Sequence, residues 1–95
     1  MVVMSRPYHE IRISESSILR EFGHDVPNEE LEWHMDRHDR VVTVIKGDGW
    51  KLQLESGLPF GLVEGRSYTI PRESWHRVIR GSSDLRIFID EFDSP

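Results

Sequence analysis

The chain has 95 residues, no cysteine and a formal charge of −5, with 17 acidic side chains against 12 lysines and arginines. A chain of this length builds one small domain with a modest core, and the absence of cysteine excludes disulfide staples, thiolate ligands and thiol nucleophiles. The acidic balance excludes a broad nucleic-acid footprint, which needs clustered cations against the phosphates. No run approaches the ~18 apolar residues of a membrane span, and the apolar residues among Met1 to Arg6 are too few for a signal peptide. The expectation is a soluble, cytoplasmic protein.

Tyr8 to Ser14 reads as an edge strand, with Ile11 and Ile13 in phase. Glu15 to Phe22 fits either a short helix, capped by Ser14 or Ser16, or a second strand. His24 to Glu30, with Pro27-Asn28, reads as a loop, and Leu31 to Asp36 resumes strand character. Arg40 to Lys46 holds Val41-Val42-Thr43-Val44-Ile45, almost pure β-formers. Gly47-Asp48-Gly49 then offers the positive φ angles of a tight hairpin, with Trp50 to Glu55 as the return strand and Leu52 and Leu54 on its buried face. Ser67 to Ile70 is a short strand stopped by Pro71, and His76 to Arg80 follows. Leu85 to Phe92 is the last strand, with Leu85, Ile87 and Ile89 on one side. Short strands separated by frequent Gly, Pro and Ser turns predict an all-β, antiparallel sandwich or barrel.

Two clusters carry the chemistry, Glu32 to Arg40 and Pro71 to Arg77. Alternation places His34 and Asp36 on one face of a strand, and His76 begins a later strand after a proline turn. An imidazole, a carboxylate and a second imidazole can therefore reach one barrel mouth. The spacing of these residues resembles the two motifs of the cupin superfamily. His34 and Asp36 stand where the first motif has its His-x-His pair, Arg40 where it has glutamate, and Gly47 where it has the closing glycine. Gly65, Pro71 and His76 fall in register with the second motif, and Glu73 takes the place of its middle glycine.

The resemblance implies a double-stranded β-helix, or jelly-roll barrel, as a single domain over residues 1–95. Residues 1–30 would supply an N-terminal edge strand and loop, and residues 31–92 the barrel with both motifs. It also implies a homodimer and one divalent metal (Fe, Mn, Ni or Zn) held by His34, Asp36 and His76. Two histidines and one carboxylate suit non-haem Fe(II) or Zn and leave coordination positions open. Arginine cannot be a ligand, so Arg40 departs from the pattern. Asp39, if the strand bulges, or His38, by parity, are further candidate ligands.

The expected function is a metal-dependent enzyme with a polar interior pocket for a small polar or anionic metabolite. Arg40 would clamp the anion, and His34 and His76 would be catalytic. Two alternatives stay open: a metal-free isomerase or epimerase with histidine as base, and a non-catalytic small-ligand-binding module. The residues also allow a plainer arrangement, in which Asp36 and Arg40 form a partly buried ion pair and the histidines are hydrogen-bonded interior groups. His9 and His24 lie outside both motifs and read as surface residues, and Arg37 and Arg77 as facing water. Trp33 and Trp75 each precede a candidate histidine, so alternation turns them away from the cavity. Trp50 follows the hairpin glycine and is placed to cap the barrel end, but ordinary core or interface packing is the favoured reading of all three tryptophans, and Tyr68, Ile70, Leu52, Leu54, Val42 and Val44 read as cavity wall and core.

Overall fold

A computed structural model describes residues 7–92, so the apolar residues near Met1 lie outside the described residues. Eight strands are described: β1 (Tyr8–Arg12), β2 (Ser17–Phe22), β3 (Asp39–Lys46), β4 (Lys51–Leu54), β5 (Phe60–Gly61), β6 (Ser67–Ile70), β7 (His76–Ile79) and β8 (Leu85–Phe92). They form two antiparallel sheets, one of five strands in the order β1-β2-β8-β3-β6 and one of three in the order β5-β4-β7. The all-β prediction holds. Among the described residues no helix is long and apolar enough to cross a membrane.

The core lies between the sheets and follows from two-residue periodicity. Leu85, Ile87 and Ile89 of β8 and Val42 and Val44 of β3 point inward from the large sheet, and Leu52 of β4 meets them from the small one. Trp50 is fully buried in this layer; its indole N–H donates to the Ser83 carbonyl at 2.7 Å, so the ring's polar atom is satisfied there.

One open alternative is decided and two local expectations are corrected. Residues 17–22 are strand, not helix: β2 pairs with β1 on one side and β8 on the other, which satisfies its backbone through the sheet. A tight turn precedes it, closed by the Ile13 N–H donating to the Ser17 carbonyl and by a Ser14–Ser17 hydroxyl contact of 2.6 Å. Gly47-Asp48-Gly49 is not a hairpin turn. Both edges of β3 are taken by β8 and β6, so β4 has no edge to join and the turn carries the chain into the other sheet. Gly49 still adopts the positive φ expected of it, 76°. Leu31 to Asp36 is not a strand either. Only one bridge forms there, between His34 and His76, while Glu32, Trp33 and Met35 remain exposed.

The same turn brings the sheets into close approach at Gly81. A side chain on Gly81 would collide with the Asp48 carbonyl and lie 2.5 Å from the Trp50 nitrogen. Glycine there is a packing requirement.

Candidate metal centre

The bridge between residues 34 and 76 builds the site. The His34 N–H donates to the His76 carbonyl at 3.0 Å and the His76 N–H to the His34 carbonyl at 2.8 Å. This narrow antiparallel pair brings the two side chains together, with ring centroids 4.2 Å apart in an edge-on arrangement. Asp36 is held by a third backbone bond, from the Glu73 N–H to its carbonyl at 2.7 Å. Glu73 has φ of 59°, a left-handed conformation that favours glycine. The residue that departs from the second motif thus keeps the backbone shape that the motif's glycine would supply.

His34, Asp36 and His76 each offer a ligand atom, all within 4.8 Å of one another. Each imidazole Nδ1 contacts a backbone carbonyl: Glu32 at 3.1 Å for His34 and Ser74 at 2.9 Å for His76. A carbonyl only accepts, so Nδ1 carries the hydrogen in both rings, and a neutral ring then presents a bare Nε2. Carbonyl contacts of this kind orient metal-ligating histidines.

Asp36 Oδ2 is buried and has no hydrogen-bond partner. His76 Nε2 lies 3.3 Å from it and Arg40 Nη1 3.2 Å, but neither is aligned to donate. An acceptor oxygen facing a bare nitrogen is unfavourable in a desolvated setting unless a cation sits among them. The three residues therefore fit a divalent ion.

Arg40 does not prevent this. Its Nε and Nη2 donate to Glu91 Oε2 at 3.0 and 2.8 Å, across the direct β3–β8 pairing. The guanidinium is neutralised by Glu91 and lies beside Asp36, so the ion pair foreseen between Asp36 and Arg40 is present within a larger triad.

The electrostatics favour a neutral His34 beside an ionised Asp36. Desolvation lowers the His34 pKa from its ordinary 6.5 and outweighs the hydrogen bond to the Glu32 carbonyl, which raises it, although the residue as a whole is exposed. Burial would raise the Asp36 carboxyl, but contact with His76 and the charge of Arg40 outweigh it and hold the group below its ordinary 3.8.

The remaining candidates are placed elsewhere. Asp39 accepts the Arg72 backbone N–H at 2.8 Å and ties the proline turn to β3; His38 is exposed, and neither joins the cluster. His9 is exposed on β1. His24 is exposed too but pairs with Asp84 at 2.8 Å, which raises its pKa. Trp50 is core, in keeping with the packing reading favoured for it. Trp33 is a correction: it lines the cavity mouth, because residue 33 lies outside any strand and alternation does not govern it. Arg77 stacks over the Trp33 ring at 5.0 Å and donates to Gln53, so Arg77 is not simply a solvated charge. Trp75 is exposed.

Behind the three ligands lies a cavity of about 340 Å³. His34 and His76 line its mouth, and its depth is walled by apolar side chains including Phe22, Leu52 and Ile87. The expected polar interior is therefore in large part apolar. Val42, Leu52 and Ile70 line the wall as foreseen, while Val44 belongs to the core and Tyr68 and Leu54 pack against it.

Sequence reasoning missed two inward charges. Arg20, on β2, lines the cavity and donates through Nε and Nη2 to Glu10 Oε2 at 3.1 and 2.9 Å. Glu91 continues the inward series of Leu85, Ile87 and Ile89, and that parity was a usable signal for it.

No family model and no curated protein matches the sequence. Solved structures do resemble the fold. A cupin domain from Bordetella pertussis Tohama I is 23% identical, with 97% of this chain and 100% of that chain covered and a TM-score of 0.63. An RmlC-like cupin family protein with a double-stranded β-helix fold from Methanocaldococcus jannaschii is 18% identical over 94% of this chain and 83% of that one, with a TM-score of 0.67. HppE with cobalt(II), in complex with Tris buffer, gives a TM-score of 0.72 at 11% identity, covering 97% of this chain and 57% of that chain.

Proposed function

Because this chain carries the cupin fold, a double-stranded β-helix, we propose that it is a metal-dependent enzyme acting on a small molecule held in the barrel cavity. One observation carries the reading: two imidazoles with outward-turned Nδ1–H groups converge with a buried carboxylate oxygen that has no hydrogen-bond partner. His34, Asp36 and His76 would hold the ion, and the candidates are Fe, Mn, Ni or Zn. HppE, which shares the fold, is known with cobalt(II) and with iron(II).

When bound, such an ion supplies Lewis-acid polarisation of a substrate oxygen and lowers the pKa of water. The chain's own residues do the rest. The carbonyls of Glu32 and Ser74 fix the ring tautomers. Arg40, tied to Glu91, steadies the Asp36 carboxylate, so we assign it a positioning role ahead of the anion clamp suggested by its sequence position. The apolar wall keeps water from the depth of the cavity.

A metal-free reading rests on the 3.3 Å approach of His76 to Asp36, since a proton on His76 would also relieve the facing acceptors and make the pair an acid–base dyad. Elemental analysis of untagged, freshly purified protein separates the two. The metal reading expects stoichiometric metal that is lost in His76→Ala and Asp36→Asn; metal-free native protein that also fails to take up Zn(II) or Fe(II) overturns it.

A further inference from the structure

The charge arrangement around the cavity carries an inference about the substrate, and it rests on the metal reading above. Two guanidinium groups line the cavity, Arg20 and Arg40. Each faces a glutamate directly across a strand pair, Glu10 opposite Arg20 and Glu91 opposite Arg40. Each glutamate takes two hydrogen bonds on one oxygen, at 3.1 and 2.9 Å for Glu10 and 3.0 and 2.8 Å for Glu91. The Arg20 guanidinium also lies 3.9 Å from the centroid of the Tyr8 ring. Both cations are thus compensated before any ligand enters, and no lysine lines the cavity.

What remains to recognise a ligand is the centre and the hydrocarbon wall; Glu32 also lines the cavity, but it is exposed, so solvent screens its charge, and it disfavours a dianion further. A divalent ion with one carboxylate, Asp36, and two neutral imidazoles leaves a single net positive charge. One negative charge on the ligand balances it; a phosphate dianion would be over-charged in a desolvated site with no free cation to receive it. The wall of Phe22, Val42, Leu52, Ile70, Val78 and Ile87 offers no hydrogen bonds to sugar hydroxyls. A hydroxylated body would lose its water there without replacement. The volume of about 340 Å³ exceeds the ~150 Å³ apolar cavity that accepts benzene, which leaves room for a substituted ring.

We propose that the substrate is a small monocarboxylate with an apolar body, of the size of a substituted benzene ring or a short branched chain, its carboxylate at the His34–Asp36–His76 centre and its hydrocarbon against the wall. This narrows the polar or anionic metabolite expected from the sequence.

The test is calorimetric titration of the protein, first with Zn(II) alone and then, on the Zn(II)-loaded form, with benzoate, acetate and glucose 6-phosphate. Benzoate should bind at least about tenfold tighter than acetate, since the ring buries apolar surface that a methyl group does not, and glucose 6-phosphate should bind no tighter than acetate. Val78→Phe, which fills the wall, should remove the benzoate advantage while Zn(II) affinity, the control for a folded centre, stays unchanged. Zn(II) binding without a preference for benzoate over acetate, or with glucose 6-phosphate the tightest, overturns the proposal and leaves the metal reading standing. Failure of both Zn(II) and Fe(II) to bind metal-free native protein overturns the metal reading instead. The apolar preference is then read on the metal-free protein, where equal binding of benzoate and acetate overturns it as well.

Discussion

His34 and Asp36 both have pKa values below their ordinary ones, His34 chiefly through desolvation and Asp36 because His76 and Arg40 outweigh its burial. In each case the unfolded chain takes up a proton at higher pH than the folded chain, so stability is lost on acidification. The loss from His34 begins as the pH falls through 6.5 and that from Asp36 as it falls through 3.8. His24 works in the opposite sense. Its raised pKa, due to the hydrogen bond with Asp84, contributes stability that is present below 6.5 and lost as the pH rises through the folded value. That pair is fully exposed, so salt screens it. For chelator-treated protein at high salt, Tm should fall between about pH 7.5 and about pH 5, and His34→Gln should flatten the fall. An undiminished fall in the variant would assign the titration to another group. Glu73 offers a second test at this scale. Its φ of 59° costs a non-glycine residue on the order of 1 kcal/mol, so Glu73→Gly should raise stability by roughly 0.5–1 kcal/mol, read as a higher urea midpoint with an unchanged slope.

Strand pairing decides where the charges sit. Arg40 and Glu91 face each other across β3 and β8 with side chains 11% and 14% exposed, which places this ion pair in the partly desolvated range. Removing one charge strands the other, so Glu91→Gln should cost about 3 kcal/mol and weaken Zn(II) binding, because Arg40 then faces the ion uncompensated. A cost below about 1 kcal/mol, typical of a surface pair, would show that Arg40 is balanced without Glu91. The same pairing explains what was readable beforehand. β3 and β8 were legible because β-branched runs and strict alternation admit one period. Ile18 and Phe22 were not, because a spacing of four residues satisfies both a strand face and a helix face. That ambiguity hid Arg20 as well, which lies on the inward side only if the segment is a strand. Leu31 to Asp36 misled in the other direction. Its composition suits a strand, yet a strand also needs an edge to pair with, and composition does not report one.

At the scale of the molecule, the resemblance of the spacing of His34, Asp36 and His76 to two known motifs pointed to their convergence, which the structure shows, although the strand alternation expected to align His34 and Asp36 is absent. The chemistry of the cavity depth was not predictable, because it depends on how side chains from both sheets meet. The segment that carries two of the three ligands is joined to the rest of the site by few backbone hydrogen bonds. Between the buried anchors Leu31 and Asp39, three backbone hydrogen bonds join it to the turn and strand that carry His76: two at His34 and one at Asp36. Opening those bonds requires no disruption of the core, so amide exchange at His34 should proceed by local fraying, far faster than at Val42 within the large sheet. A bound ion spans the two sides of that opening and acts as its clasp. Zn(II) should therefore slow exchange at His34 much more than at Val42, and the rate at which the ion escapes should track the rate at which this short flap unzips.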